Sequence, residues 1–252
     1  MSKKLLIAVA INEEFKTLKK LMTDKKTPKG YKHPMCSGLL SGYPVDVVMT
    51  SMGMQASATA ALAVMNSDAY VGVLVLGYCG GLSLNLQVGD AVIPNKVISS
   101  LDQFVFNMDL TLVEDMGKSM IQEGLKYRAT SLTTQPLVLE TPNDKEKLFK
   151  ESGAEAVDME TAEIIRVGRK LGLKTAVMKI VIDDVGQELP HFNEYFKKTG
   201  KMTQLNVTQV LLRQPTLSLK LSQNMKHGAA VLQNSVPGLV KVICRHWKIN
   251  QD

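Results

Sequence analysis

Five short stretches of this chain set acids, glycines and methionines at spacings suited to holding an oxygen-rich ligand. The first runs Ala154-Glu155-Ala156-Val157-Asp158-Met159-Glu160-Thr161-Ala162-Glu163. Asp158 and Glu160 flank Met159 where a short apolar strand end turns into a helix, so a carboxylate and a soft apolar side chain lie side by side. A ribose asks for that combination: the carboxylate accepts from its 2′- and 3′-hydroxyls, and the apolar surface lies under the ring. The second is Leu76-Gly77-Tyr78-Cys79-Gly80-Gly81-Leu82, followed by Val88-Gly89-Asp90; its glycines let the backbone approach a ligand closely. Thr50-Ser51-Met52-Gly53-Met54-Gln55 leads from a strand into a helix, where backbone amides suit an oxygen-rich ligand. In Ile182-Asp183-Asp184-Val185-Gly186 two carboxylates end a buried strand. Side chains alternate there, so only one faces a pocket, and each tends to raise the other's pKa, as suits a proton donor. Last, Glu13 and Glu14 fall in the first turn of a helix, where the dipole favours acids.

Elements of two kinds must carry these stretches. Apolar runs recur at 5–10, 45–49, 71–76, 91–93 and 176–182; they are Val/Ile/Leu-rich and do not alternate, as expected of strands buried on both faces. Between them, Asn12–Met22 places Phe15 and Leu18 at helical spacing, with Asn12 as N-cap. Gln55–Met65 is alanine-rich, and Thr161–Leu171 sets Ile164, Ile165 and Leu171 against Arg166, Arg169 and Lys170. Strands alternating with helices predict a single α/β domain, a central mixed and mostly buried sheet flanked by helices. Pro28–Pro34 and Glu140–Asn143 read as surface loops. Past residue 195 the pattern changes to two helices, Met202–Arg213 and Leu217–Leu232, separated by Gln214-Pro215 with Thr216 as a cap. The predicted organisation is a body over 1–195 and a basic helical extension over 196–252 packed on the same domain.

Charge is placed unevenly. Residues 196–252 hold nine Lys or Arg against Asp252 alone, so the segment is +8 within a net +6 and the remainder is −2. Such a face is either simply solvated or drawn to an anionic surface. Nucleic acid is excluded as the expected partner, since few aromatics interleave with the basic residues and no binding motif is present. Cys36, Cys79 and Cys244 are odd in number and far apart, without a CxxC or Cys/His cluster, so neither a disulfide framework nor a zinc site is expected. No organic cofactor is implied either. The apolar run Leu5–Ala10 is too short for a signal-peptide core, and no run reaches membrane-spanning length. A cytoplasmic protein is expected, with 196–252 able to touch the inner face of the membrane.

In this order and spacing the motifs resemble the purine nucleoside phosphorylase and nucleosidase superfamily, from about Lys4 to about Pro190. The chain looks nearest to the methylthioadenosine/adenosylhomocysteine nucleosidases and to the hopanoid-associated phosphorylases, the second favoured by the long basic tail. The resemblance implies cleavage of a purine N-glycosidic bond. That reaction needs an acid to protonate the departing base at N7 and a carboxylate near the sugar, which acquires oxocarbenium character. It implies that Glu160 binds the ribose hydroxyls, Met159 lines the sugar and Met52 lies near the 5′ substituent, beside Gly53. Gly80 and Tyr78, with its hydroxyl, would shape the pocket, and backbone groups at Leu137 and Val138 would meet the purine. Glu14 matches the glutamate that activates water in nucleosidases. For the acid, matching Asp-Val-Gly to the family's Asp-Val-Ala selects Asp184, whereas the basic residue four positions earlier, Lys179, selects Asp183; Asp184 is the first choice.

Water is the expected nucleophile over phosphate. The five arginines are Arg128, Arg166, Arg169, Arg213 and Arg245, and none occupies the early positions from which phosphorylases of the superfamily hold phosphate. The resemblance also implies an adenine nucleoside with an apolar 5′ group, an adenosylated hopane being the amphiphilic extreme, and a homo-oligomer. Phosphorolysis is the alternative reaction, and a non-catalytic nucleoside-binding or membrane-surface-binding relative the alternative class.

Overall fold

The computed structural model describes residues 3–66, 68–194 and 204–251. The expected boundary at 195/196, the lysines at 197, 198 and 201, and the expected helix start at Met202 lie outside the described residues. Along the chain come β1 (Lys4–Val9), α1 (Asn12–Leu21), β2 (Thr23–Lys26), β3 (Met35–Leu40), β4 (Tyr43–Met49), α2 (Met54–Val64), β5 (Tyr70–Gly81), β6 (Ala91–Val92), β7 (Lys96–Ser99) and β8 (Val105–Asn107). Then follow α3 (Leu110–Gln122), β9 (Tyr127–Arg128), β10 (Ser131–Thr134), α4 (Pro142–Ser152), β11 (Ala156–Asp158), α5 (Thr161–Lys170) and β12 (Lys174–Asp183). Two last helices, Gln204–Arg213 and Pro215–Trp247, are α6 and α7. The fold is the expected mixed sheet flanked by helices in one domain, with a C-terminal helix on it.

β5 organises the sheet. One of its edges pairs with β12 in parallel from Gly72 to Gly80. The other pairs with β1 in parallel as far as Val75, and then with β11 in antiparallel at Gly80 and Gly81. Between those two partners, residues 76–79 of this edge have no ladder strand. β1 and β11 run towards each other along the edge, so both end facing the gap. α1 follows β1 and α5 follows β11, and both helices therefore start there.

The strands form where apolar runs were read, with ends that differ: β5 continues to Gly81 and β12 begins at Lys174. β2, β3, β8 and α4 carried no comparable apolar run, and Glu140–Asn143, expected as a loop, already contains the first turn of α4 at Pro142, capped by Thr141. Asn12 is the first helical residue and not the cap; Ile11 holds the cap position, and Glu14 satisfies the amides there. Thr216 likewise lies inside α7, which starts at Pro215 after Gln214.

α7 continues past Leu232, through Pro237, to Trp247. Leu221, Val231, Leu232, Val236, Leu239, Val240, Ile243, Cys244 and Trp247 recur at helical spacing and are buried. From Val231 onward they belong to the same core as β1, β5 and β12. Lys220, Lys226, Lys241, Arg245 and Lys248 stay exposed. Among the described residues, no helix is long and apolar enough to cross a membrane.

Candidate active site

The gap on β5 is filled by a side chain. Glu14 Oε1 accepts the N–H of Tyr78 at 2.9 Å, taking the place a strand carbonyl would have had. Its Oε2 accepts the N–H groups of Ala10 and Ile11 at 2.8 and 3.0 Å, closing the start of α1. Gly77 is required here twice over: φ is +140°, and a Cβ would stand 2.5 Å from Glu14 Oε1.

Glu160 reaches the same place from the start of α5. The loop after β4 turns through Ser51 at φ +75° and Gly53 at φ +98°. That conformation aims the Gly53 N–H at Glu160 Oε1, 2.8 Å away. Three helix starts, those of α1, α2 and α5, thus converge on two buried carboxylates, an arrangement that favours negative charge.

Lys179, on β12 opposite Gly77, supplies the positive charge. Its Nζ lies 3.0 Å from Asp158 Oδ2, and both side chains are 1% exposed. Asp158 also accepts from Thr134 Oγ1 at 2.7 Å, from the Thr161 N–H and from the Thr161 hydroxyl. Burial works against the lysine's charge, but Asp158, then Glu160 and Glu14, outweigh it and raise its pKa. Three carboxylates share this one ammonium. Burial raises the Glu14 carboxyl, with Lys179 and the three N–H donors pulling it back. Burial, followed by Asp158, raises the Glu160 carboxyl. A cluster of this kind holds a proton readily and gains from hydroxyl donors.

The aspartate pair lies at the end of β12, and its two members have different surroundings. Asp183 is buried, and its Oδ2 accepts from Lys145 Nζ at 2.6 Å. Burial raises its carboxyl by more than Lys145 lowers it, so the net shift is upward. Asp184 is half-buried; its Oδ1 accepts the Gly186 N–H at 3.0 Å, and its other oxygen has no hydrogen-bond partner among the described residues. Gln187, on the same turn, is 1% exposed, and its side-chain nitrogen has no hydrogen-bond partner among the described residues. Gly80 is crowded by this end as well: a Cβ would meet Asp183 Oδ2 at 2.8 Å.

Met52 and Met159 are half-buried at the loops that carry Gly53 and Glu160, and Leu137 is exposed. Val138 has both backbone groups engaged by one side chain, its N–H donating to Asn193 Oδ1 at 3.1 Å and its carbonyl accepting from Asn193 Nδ2 at 2.7 Å. The Tyr78 hydroxyl, expected to help shape the ligand pocket, has a partner within the protein. It donates to the Met225 carbonyl on α7 at 3.3 Å, because the ring packs against Gly228; what Tyr78 gives to the site is its backbone N–H. Among the described residues no group of three His, Cys, Asp or Glu is placed to hold a metal ion.

Two residues of the site were not read from the sequence as its members. Lys179 was noted only for its offset from Asp183, and its apolar strand neighbours are a signal in themselves, since a lysine inside a buried strand needs a partner. Lys145 gave none, standing among Lys147 and Lys150 on a charged helix.

A family model described as the phosphorylase superfamily matches residues 4–213. A 5′-methylthioadenosine/S-adenosylhomocysteine nucleosidase of Marinomonas sp. (strain MWYL1) is 27% identical over 225 residues, covering 80% of this chain and 95% of that protein. A DeoD-type purine nucleoside phosphorylase of Clostridium novyi (strain NT) is 24% identical over 161 residues, 59% of this chain and 68% of the relative. Among solved structures, the 5′-methylthioadenosine/S-adenosylhomocysteine nucleosidase of Neisseria meningitidis, in complex with methylthio-immucillin-A, superposes with a TM-score of 0.75 at 19% identity. It covers 95% of this chain and 99% of its own.

Proposed function

The chain belongs to the phosphorylase superfamily, and from that premise we propose that it is a purine nucleosidase, cleaving the N-glycosidic bond of an adenine nucleoside by water. The observation that carries this reading is the pair Glu14 and Glu160, two buried carboxylates anchored by backbone N–H groups and facing one ammonium at the gap in β5. Glu160 accepts from the ribose hydroxyls, and Glu14 takes a proton from the attacking water. Asp184 protonates the base at N7 as the bond to the sugar breaks; Asp183 has its Oδ2 committed to Lys145, which favours its neighbour as donor. Gly53 and Gly80 keep the walls close, and Met52, Met159 and Leu137 offer apolar surface to the sugar and to a 5′ substituent. Val138 would meet the base only once Asn193 releases its N–H and carbonyl.

The DeoD-type relative gives phosphorolysis its support. Against it, Lys179 is the cation of the buried cluster and is already shared by three carboxylates, so a phosphate dianion would find no free charge there. An apolar 5′ group, with an adenosylated hopane as its extreme, remains our preferred substrate class. Most of the apolar stripe of α7 is spent on the core, so contact with a membrane would rest mainly on the exposed basic side chains, with Leu212 and Leu219 as the exposed large apolar ones beside them.

The test is adenine release from 5′-methylthioadenosine, adenosine and a 5′-alkyl adenosine, with and without phosphate, identifying the sugar product. Free sugar at a phosphate-independent rate is expected, lost in Asp184→Asn and Glu14→Gln. Sugar 1-phosphate with strict phosphate dependence would establish the phosphorylase instead, and binding without release the non-catalytic relative.

A further inference from the structure

α4 is a polar helix, Pro-Asn-Asp-Lys-Glu-Lys-Leu-Phe-Lys-Glu-Ser, whose one buried residue is a lysine. Lys145 is fully shielded from solvent, although a leucine there would cover the same surface without desolvating a charge. Its ammonium has three protons to give, and the structure accounts for all three. One goes to Asp183 Oδ2 at 2.6 Å, one to the Asp184 carbonyl at 2.7 Å and one to the Gln187 carbonyl at 3.0 Å. All three acceptors belong to the turn 183–187. The same turn carries the Asp184 carboxylate, steadied from within by the Gly186 N–H. β12 changes register against β5 between Val181 and Asp183, so regular ladder pairing no longer fixes the strand end where that turn begins.

We propose that Lys145 is a positioning residue for the proton donor: its ammonium clamps the backbone on both sides of the turn, so that the Asp184 carboxyl is presented in one place. Asp183 is its counter-ion, which keeps the clamp charged in a dry setting. This rests on the reading that Asp184 supplies the acid. A donor displaced by about 1 Å costs on the order of 10²-fold in rate, whereas substrate held by Glu160 and Gly53 is unaffected.

The test uses the full chain with 5′-methylthioadenosine, comparing wild type, Asp183→Asn, Lys145→Met and Lys145→Met/Asp183→Asn. Asp183→Asn alone is expected to lose much less kcat than the double variant, and an equal loss in the two overturns the proposal. kcat and KM are read separately, and urea unfolding is followed alongside. Lys145→Met leaves the Asp183 carboxylate buried without a partner and is expected to lose stability as well as kcat. The double variant removes that orphan charge but not the loss of the clamp. Its stability is expected to recover while kcat stays about 10²-fold below wild type, with KM within about threefold. Recovery of kcat together with stability in the double variant overturns the proposal and reduces Lys145 to a structural ion pair. A wild-type chain that releases no base overturns the reading on which the proposal rests, a different result from an active wild type with an equally active double variant.

Discussion

Replacing Lys179 by methionine removes one charge from the buried cluster and keeps side-chain length. The ammonium stands 3.0 Å from Asp158 Oδ2 with both side chains 1% exposed. At that separation, and with an effective dielectric near 20, the attraction is about 5–6 kcal/mol. Asp158 would keep its bonds from Thr134 and Thr161, and the cost of burying the ammonium would be relieved. The expected net loss of stability is therefore about 3–5 kcal/mol, that of a buried pair deprived of one partner. Its pH dependence has a definite sign. With no cation beside the cluster, the folded-state pKa of Glu160, which burial already raises and Lys179 pulls back, climbs further above its unfolded value. The folded state of the variant then loses stability as pH climbs through the raised value, so the deficit is larger at pH 8 than at pH 5. Urea unfolding followed by the fluorescence of Trp247, the one tryptophan in the chain, measures both. Adding Asp158→Asn removes the orphan charge and is expected to restore half or more of the loss. A deficit below about 1 kcal/mol at pH 8, or an equal deficit at both pH values, refutes the idea that Lys179 neutralises this cluster.

Three further outcomes are expected. Glu160→Gln should slow base release by about 10²-fold or more. Because the Glu160 carboxyl is raised above 4.5, wild-type stability falls as pH rises from there through the folded-state value; the glutamine variant should show a flatter profile, and an unchanged profile would place the titration elsewhere. Gly77→Ala puts a Cβ 2.5 Å from Glu14 Oε1 at φ +140°, so a loss of roughly 2 kcal/mol or more in urea unfolding is expected together with loss of turnover. Asn193→Ala frees the backbone pair of Val138, which should tighten adenine binding in calorimetry; weaker or unchanged binding would mean that the base does not use Val138.

Glu14 and Glu160 were legible in the sequence because each stands in a motif whose neighbours are constrained by the same geometry. Gly77 and Gly53 hold backbone conformations that a side chain would strain, and their presence marks the loops. Lys145 was not legible, since i,i+4 patterning of Lys and Glu on α4 looks the same whether one lysine faces water or the sheet. The fork of β5 was hidden too: a strand that changes partner midway reads as one continuous apolar run. α7 runs past its expected end at Leu232 and on through Pro237. A proline usually ends a helix, but here the apolar stripe continues on the same face from Leu232 to Trp247, and burial of Val240, Ile243 and Trp247 outweighs the missing N–H.

The late position of α7 in the chain has a consequence for how the molecule is made. By the time the ribosome has added Asp184, every side chain assigned to the proposed reaction has been synthesised. Yet α7 packs on α1, α3, β5 and β12, and those surfaces stay bare until Trp247 and Ile249 have been added. At about 5–20 residues per second that interval is roughly 3–13 s. During it the nascent chain displays the inner faces of its own central strands, with nothing of its own to cover them. That interval is when a holding chaperone is needed most, and slowed translation between codons 185 and 249 would lower the yield of soluble protein without altering a single residue.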